Sequence, residues 1–289
     1  MPEPAVTQPG PWRCPVCRGT LSLFGEERRW VCLAGHSFDI AREGYVNLLL
    51  RRRGGHKPGD SAEMVSARGR FLASGAYDRI SVAVAEAVSS IRPSVLVDVG
   101  CGEGHHTRRL DAAAILGVDV AKTAVAVAAR SHPTGSYAVA TASALPLHER
   151  SVDAAVIIFS PTFAQELARV VRPGGVVVTA HPCPNHLATL RALVYERAHP
   201  HEVKPPLRGA EEWFDEIESV TLRFPLVVSD VAALRDLFAM TPYRWHGPRD
   251  IDERLEEATR RPFASSAEVR VTTYRRRSNV IASSPCILD

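Results

Sequence analysis

The sequence lacks any long hydrophobic run. Nowhere do about 18 apolar residues follow one another, which is the length that a membrane-spanning helix needs. The first residues, MPEPAVTQPGPW, also lack the basic region and apolar stretch of a secretory signal. Both absences argue against a membrane-embedded or secreted protein, so we expect a soluble protein of the cytoplasm.

Cysteine and net charge are both scarce. The 289 residues include 6 cysteines, three of them bunched near the N-terminus, which does not resemble the framework of a disulfide-rich secreted domain. A formal net charge of +3 is too small to indicate a nucleic-acid partner by itself. The hydrophobic content of 45% suffices for a sizeable core, and the length allows about two domains.

The bunched cysteines have the spacing of a zinc site. Cys14 and Cys17 form a C-x-x-C pair, and Cys32 and His36 form a C-x-x-x-H pair. Three thiolates and one imidazole complete a tetrahedral zinc shell with no place for water, so we expect a structural site. A redox C-x-x-C pair is the alternative, but no βαβ pattern surrounds these residues.

Composition divides the chain into four predicted segments. They are a proline-rich tail at 1–12, a zinc-binding domain at 13–50, a basic linker at 51–60 and a larger domain at 61–289. The linker contains four basic residues that are candidates for contacts with phosphate groups, namely Arg51, Arg52, Arg53 and Lys57.

Short apolar runs alternate with helix-like segments through the larger domain. The runs SVLVDVG, AILGVDV, DAAVIIF and GGVVVTA are continuously apolar, as in strands that are covered on both faces. The pattern predicts an α/β fold with a parallel sheet. Two later segments, SVTLRFPLV and EVRVTTYRRR, are expected to form an antiparallel edge.

A glycine-rich loop follows the first of these strands. Asp98 precedes Gly100-x-Gly102-x-Gly104, and Asp119 ends the next strand. Glycines allow a tight turn close to a ligand, and we expect a helix to follow at once, with its N-terminus available for a negative group. The third glycine falls one residue too early for a dinucleotide fingerprint. The loop instead indicates a class I, Rossmann-like methyltransferase that uses S-adenosylmethionine; a generic nucleotide-binding fold is the alternative.

Further motifs extend over about residues 13 to 280. They are CPVC, CLAGHSFD with AREGYVNLL, GDSAEMVSARGRFLASGAYD, VDVGCGEGHHT, ELARVVRPGG, P-x-P-x-HL and MTPYRWH. Together they resemble the bacterial 23S rRNA (guanine-N1)-methyltransferases of the RlmA and TlrB type. The zinc knuckle combined with GYVNLL and MTP-x-x-W is far more specific than the methyltransferase loop alone.

The resemblance implies methyl transfer from S-adenosylmethionine to N1 of a guanine in a 23S rRNA hairpin loop. The implied target lies in the 745/748 region, which lines the peptide exit tunnel, with a bearing on macrolide susceptibility. The resemblance also implies a homodimer whose zinc domains help to form an RNA-binding cleft. It assigns zinc ligation to Cys14, Cys17, Cys32 and His36, and cofactor contacts to Tyr77, Gly102, Glu103, Asp119 and His186; Asp98, Gly100 and Gly104 complete the predicted cofactor site.

Four residues are candidates for the chemistry: Asp60, Phe159, His186 and Trp245. Guanine N1 carries a proton at neutral pH, so a base should help, and Asp60 or His186 would serve. A helix N-cap is the alternative role for Asp60, and a cofactor contact is favoured over a base for His186. Phe159 and Trp245, with Tyr243, are expected to hold a base that has turned out of its stack, although core packing is an alternative for Trp245.

One departure from the family pattern concerns base placement. The family has Ala-Pro after an aromatic residue, whereas this chain has Phe159-Ser160-Pro161. Two other functions stay open at this point. One is a small-molecule methyltransferase with a structural zinc knuckle, and the other is an RNA-binding module with a decayed catalytic core. The three intact glycines argue against decay.

Overall fold

The computed structural model describes residues 10–24, 28–50, 59–195 and 205–278. The helices are α1 (Ala62–Ala73), α2 (Asp78–Ser89), α3 (Lys122–Ser131), α4 (Ala164–Val170), α5 (Ala188–Val194), α6 (Val231–Ala239) and α7 (Ile251–Ala258). Short 3-10 helices cover Thr107–Arg109 and Pro242–Trp245. None of the helices in these ranges has the length and apolarity to cross a membrane. The four basic linker residues singled out above fall outside the described ranges.

The strands begin in the zinc-binding segment and continue to the C-terminal part. They are β1 (Leu21–Leu23), β2 (Arg29–Cys32), β3 (Ser37–Asp39), β4 (Tyr45–Asn47), β5 (Val95–Val99), β6 (Ala114–Asp119), β7 (Ser136–Val139), β8 (Val152–Ile158), β9 (Val171–Pro182), β10 (Phe214–Val228) and β11 (Phe263–Arg276). Strands β1 to β3 form a small sheet of their own. The other eight described strands form one sheet in the order β10-β11-β9-β8-β5-β6-β7-β4.

The central strands of the large sheet are parallel. Each pair from β9 through β8, β5, β6 and β7 to β4 runs in the same direction. Their apolar residues belong alternately to clusters on the two faces, since Leu96 packs on one side and Val97 and Val99 pack on the other. Burial on both faces explains the continuous apolar runs. The predicted α/β fold with a parallel sheet is confirmed.

Two long antiparallel strands extend the sheet past β9. β10 pairs with β11 from Phe214–Arg276 to Val228–Phe263, and β11 pairs antiparallel with β9. The predicted antiparallel edge is therefore confirmed. The connection between β10 and β11 contains α6, the second 3-10 helix and α7. The pairing of β11 with β9 begins at Pro182, the last residue of β9, so this connection lies at the carboxyl end of the parallel strands.

The zinc-binding segment is joined closely to the large sheet. The Trp12 indole is fully buried, and its Nε1 donates a hydrogen bond to Ser136 Oγ at 2.9 Å. Trp12 also forms an antiparallel bridge with Leu147. The GYVNLL motif supplies β4, which pairs with β7 as the edge of the large sheet. The segment predicted at 13–50 therefore contributes one strand to the larger sheet, which no local pattern in the motif had indicated.

Helix α1 follows the linker and carries residues toward the glycine loop. Ser61 caps it, since Ser61 Oγ accepts a hydrogen bond from the Met64 backbone N–H at 3.3 Å. The buried face of α1 includes Phe71 and Leu72, and the turn after it contains Gly75 at φ +79°. Because Ser61 is the cap, the alternative that made Asp60 only a helix cap is wrong.

Candidate active site and zinc centre

The glycine loop after β5 takes a path that other residues adopt only with strain. Gly100, Gly102 and Gly104 have φ values of +80°, +55° and +80°. A Cβ on Gly100 would overlap the side chain of Ser160, and a Cβ on Gly104 would lie 3.1 Å from Ala128 Cβ. The loop therefore presents bare backbone at the carboxyl edge of the sheet, where α/β proteins bind their ligands.

The segment after the loop differs from the predicted helix. Between the loop and β6 the chain forms a single 3-10 turn, Thr107–Arg109, and then Leu110 is extended. The Thr107 hydroxyl donates to the Asp98 carboxylate at 2.6 Å, which draws the chain back beneath the loop. The prediction of a helix beginning at once is wrong, and the helix N-terminus expected to receive a negative group is not formed there.

Two carboxylates support the loop, the buried Asp98 and the partly buried Asp119. Asp98 is 2% exposed, and burial raises its pKa to about 7 although the Thr107 hydrogen bond acts in the opposite direction. Asp119 accepts backbone hydrogen bonds from Gly102 at 3.0 Å and Ala121 at 2.8 Å. Burial also raises the pKa of Asp119, against the effect of these two bonds. A carboxylate has about four acceptor positions, so Asp119 keeps capacity for a ligand hydroxyl.

Arg68 on α1 holds two further carboxylates over the loop. Its Nε donates to Glu103 Oε2 at 2.7 Å, and its Nη1 donates to Asp60 Oδ2. Burial alone would lower the pKa of Arg68, but Glu103 and Asp60 outweigh it and raise that pKa. Its Nη2 would lie 3.3 Å from a Cβ built on Gly102. The base candidate Asp60 is thus already ion-paired.

One cavity of about 650 Å³ connects this region with the C-terminal segment. Its volume is in the range of small-molecule and cofactor sites. Side chains from α1, the ends of β8 and β9, and the second 3-10 helix line it. The cavity brings together all four residues predicted for the chemistry, Asp60, Phe159, His186 and Trp245, and two of the predicted cofactor contacts, Tyr77 and again His186.

Three aromatic rings form one wall of the cavity. The Tyr77 hydroxyl lies 3.2 Å from His186 Nε2, and the Phe159 ring centroid lies 6.1 Å from Tyr77 and 5.7 Å from His186. His186 Nδ1 accepts a hydrogen bond from the Glu268 backbone N–H at 3.2 Å. Burial raises the pKa of Tyr77, so its hydroxyl stays protonated. Phe159 has φ +52°, a conformation that costs a non-glycine residue energy and recurs at functional sites.

Trp245 lies at the mouth of the cavity. Its side chain is 64% exposed, whereas the neighbouring Tyr243 is buried. The Arg244 guanidinium lies 4.9 Å from the centroid of the Trp245 ring and donates to Ser61 Oγ at 3.3 Å. An indole this exposed does not pack in the core, so that alternative for Trp245 is wrong.

The four predicted zinc ligands come together in the N-terminal segment. Their ligand atoms all lie within 4.8 Å of one another. Cys32 Sγ is 3.5 Å from Cys17 Sγ and 3.4 Å from His36 Nδ1. Bonds of about 2.3 Å from zinc to sulfur and about 2.0 Å to nitrogen place tetrahedral ligands at such spacings. Burial raises the pKa of Cys32, but hydrogen bonds from Cys17 and His36 outweigh it and lower the pKa to about 6, which favours the thiolate.

Comparison with known proteins finds two family models that match different parts of the chain. Residues 12–50 match the family described as RlmA, N-terminal, and residues 97–179 match the family described as Methyltransferase domain. The 23S rRNA (guanine(748)-N(1))-methyltransferase of Streptomyces fradiae is 36% identical over 257 residues, which cover 85% of this chain and 90% of that protein. The chain belongs to the 23S rRNA (guanine-N1)-methyltransferase family.

Two further relatives of the methyltransferase carry provisional names of the same kind. The one from Micromonospora griseorubida is 36% identical over 288 residues, covering 91% of this chain and 96% of its own length. The one from Bacillus subtilis is 29% identical over 261 residues, covering 85% and 91%. The predicted family, the enzyme class and the two cofactors, S-adenosylmethionine and zinc, are confirmed.

The residues present fit both cofactors. Bare glycine backbone beside the Asp119 carboxylate suits an adenosyl ligand that approaches closely, and the three thiols and one imidazole suit a closed structural zinc site. Asp98 lies beneath the loop and is not among the residues that line the cavity. Gly100, Gly102, Glu103, Gly104 and Asp119 are likewise not among the residues that line the cavity, so these predicted cofactor contacts lie beside it, next to Arg68.

The cavity also contains residues that the sequence analysis missed. His181, Tyr195, Thr241 and Arg68 all line it. Burial lowers the pKa of His181 to about 4, so its imidazole is neutral at neutral pH. One sequence signal was available for His181, because it lies at the carboxyl end of a central parallel strand. No local pattern in the sequence distinguishes the other three from ordinary helix and loop residues.

Proposed function

We propose that the methyltransferase transfers a methyl group from S-adenosylmethionine to N1 of a guanine in the 745/748 region of a 23S rRNA hairpin loop. The Streptomyces fradiae relative is named for position 748. The observation that carries the proposal is the cavity in which Arg68, the neighbour of the glycine loop, lies together with Phe159 and with Trp245 of the C-terminal segment. A chain with this cavity and a zinc ribbon has room for a cofactor, a base and an RNA-binding surface.

Positioning supplies most of the catalysis in this proposal. Bound S-adenosylmethionine supplies the electrophilic methyl group. The chain must hold the acceptor nitrogen about 3 to 3.5 Å away, in line with the breaking bond, and must exclude water. The Tyr77, Phe159 and His186 rings, which pack against one another, form an aromatic wall that we assign to this positioning.

The proton on guanine N1 must leave during methylation. Both ring nitrogens of His186 lie within hydrogen-bond distance of protein groups, the Tyr77 hydroxyl and the Glu268 N–H. This pairing favours His186 as a positioning residue. The Asp60 carboxylate lines the cavity, and Arg68 Nη1 occupies one of its several acceptor positions. We therefore assign proton acceptance to Asp60.

Aromatic faces are assigned to the turned-out guanine. A base in a folded RNA loop must leave its stack to enter a cavity, and stacking on an aromatic ring compensates for that loss. Phe159 is 40% exposed beside the Tyr77 ring, and Trp245 is exposed at the mouth. Phe159 and Trp245 are thus the proposed contacts with the guanine and its neighbour.

The zinc ribbon, which comprises strands β1 to β3 and the four zinc ligands, is assigned to recognition of the RNA. The cavity accepts one base, which cannot distinguish one guanine among many, so a second surface must read the shape of the hairpin. Val16 and Leu33, in the two knuckle turns, are 51% and 107% exposed, and apolar side chains this exposed are typical of contact surfaces. We assign the cleft to a homodimer, in which two zinc ribbons face one RNA.

In vitro methylation tests this function. Zinc-loaded protein and radiolabelled S-adenosylmethionine are incubated with a transcript of the 23S rRNA hairpin, and with transcripts in which each loop guanine is replaced by adenine. We expect incorporation that one replacement abolishes, and a primer-extension stop at that guanine, because N1-methylation blocks base pairing. Macrolide susceptibility of cells with and without the protein then connects the modified position to resistance. Incorporation into no transcript would contradict the proposal.

A further inference from the structure

Arg68 has a donor face that no described residue uses. A guanidinium has five N–H donors in a rigid fork. In Arg68 the Nε donor goes to Glu103 and an Nη1 donor goes to Asp60. No hydrogen bond from Nη2 to any described residue is formed, and Nη2 lies next to Gly102 of the glycine loop. The two carboxylates thus hold the fork with its free edge toward the loop.

The charges around the loop are strongly unequal. Four carboxylates surround it, those of Asp60, Asp98, Glu103 and Asp119. Among the described residues that line the cavity, Arg68 is the one arginine or lysine. S-adenosylmethionine carries two positive groups, the sulfonium and the ammonium, and one negative group, the carboxylate of its methionine part. The acids suit the two positive groups, and a cation is needed for the carboxylate.

Burial strengthens the electrostatic interactions of the Arg68 guanidinium. Its side chain is 22% exposed and its acidic partner Glu103 is 8% exposed, so water screens their interactions weakly. The ion pairs with Glu103 and Asp60 also hold the Arg68 guanidinium beside the loop, so a ligand carboxylate can bind there without displacing it. Charge-assisted hydrogen bonds of this kind are about twice as strong as neutral ones.

We infer that Arg68 binds the methionyl carboxylate of S-adenosylmethionine through Nη2, while Glu103 and Asp60 orient its guanidinium. This inference rests on the cofactor and is independent of the proposed RNA substrate. The product S-adenosylhomocysteine keeps the same carboxylate, so Arg68 contributes to the binding of cofactor and product alike. Loss of Arg68 therefore raises KM for the cofactor much more than it lowers kcat.

Calorimetry with two ligands tests the inference. The ligands are S-adenosylmethionine and its decarboxylated analogue, which lacks only the carboxylate. The wild-type protein is expected to bind S-adenosylmethionine about 10- to 100-fold more tightly, the range for hydrogen bonds between charged groups. In Arg68→Met this preference should fall to about one or reverse, because the affinity for S-adenosylmethionine drops and the affinity for the analogue does not.

Arg70→Met is the matched control. Arg70 lies on the same helix, is 64% exposed and pairs with Asp236 away from the loop. It should keep the wild-type preference. Arg68→Lys provides a second variant in case Arg68→Met does not fold; it keeps the charge but not the fork, so the preference should decrease to an intermediate value. Thermal midpoints and zinc content establish that each variant is folded.

A wild-type preference in a folded Arg68→Met or Arg68→Lys variant would overturn the inference. Equal weakening of both ligands would also overturn it, because it would show that Arg68 supports the site without contacting the carboxylate. These measurements contain no RNA. An absence of RNA methylation with the expected ligand preference would therefore count against the proposed function alone.

Discussion

Asp98 shows how burial changes the chemistry of a single residue. The carboxylate is 2% exposed beneath the glycine loop, and its pKa is raised to about 7, far above the usual value near 3.9. Between these two pH values the folded protein binds more protons than the unfolded chain. The contribution of Asp98 to stability is thus fully present below about pH 4 and is lost as the pH rises through about 7.

Replacement of Asp98 by asparagine should remove this dependence. We expect the thermal midpoint of cofactor-free wild-type protein to fall relative to that of Asp98→Asn as the pH is raised from about 4 to 8. Differential scanning calorimetry at several pH values measures the difference. Titrating groups that are remote from Asp98 contribute equally in the two proteins and cancel in this difference. Parallel curves for the two proteins would show that Asp98 does not titrate in this range.

Trp245 provides a second prediction at the residue scale. Because its side chain is 64% exposed, Trp245→Ala should shift the thermal midpoint little and leave the affinity for S-adenosylmethionine unchanged. Loss of base stacking, worth about 1 to 3 kcal/mol, should raise KM for the RNA about 5- to 150-fold. Trp245→Phe should recover part of that loss. Substitution of Val227, which is 63% exposed on β10, is the control and should leave KM for the RNA unchanged. An unchanged KM for the RNA in Trp245→Ala would argue against a base contact.

At the scale of elements, the zinc ribbon and the glycine loop depend on different residues. The ribbon consists of β1 to β3, with two buried ligands, Cys14 and Cys32, and the exposed ligand Cys17. So small a sheet has little apolar core, and metal binding supplies about 10 kcal/mol or more to domains of this size. The loop, by contrast, is supported by Asp98 and Asp119 at the ends of β5 and β6 in the large sheet and by Arg68 on α1.

Cys17→Ala should therefore separate the two functions. We expect the variant to lose zinc, as measured by atomic absorption, and to lose RNA methylation. Its affinity for S-adenosylmethionine should stay within a few-fold of the wild-type value, because the cofactor residues lie on other elements. Ser37→Ala, an exposed change on β3, should keep both zinc and activity. Normal RNA methylation by zinc-free Cys17→Ala would remove the ribbon from RNA recognition.

At the scale of the whole molecule, the cofactor and the RNA should respond differently to salt. The residues proposed to bind the cofactor are largely buried, whereas an RNA hairpin would lie across the surface and release counterions on binding. An increase in salt from about 50 to 200 mM should weaken hairpin binding by a factor of about 10 or more and change the Kd for S-adenosylmethionine by less than about two. Filter binding and calorimetry measure the two constants. If the Kd for the hairpin does not change with salt, a small-molecule methyltransferase is favoured instead.

The sequence by itself determined the parts whose chemistry depends on residue type at short spacing. A closed tetrahedral zinc site needs four sulfur or nitrogen ligands, and Cys14, Cys17, Cys32 and His36 supply them from two short motifs. A turn with φ near +80° selects Gly100 because other residues are strained there. Continuous apolar runs determined the parallel sheet, since both of its faces are buried.

Only the tertiary structure decided how distant segments meet. The antiparallel pairing of β10, β11 and β9 brings Trp245 to the cavity that Arg68 and Phe159 also line, and no local pattern encodes so long a separation. The chain after the glycines forms a 3-10 turn and no α-helix, because Thr107 bonds back to a buried carboxylate. Such contacts depend on packing between remote elements, and packing free energy is gained only once the whole sheet has formed.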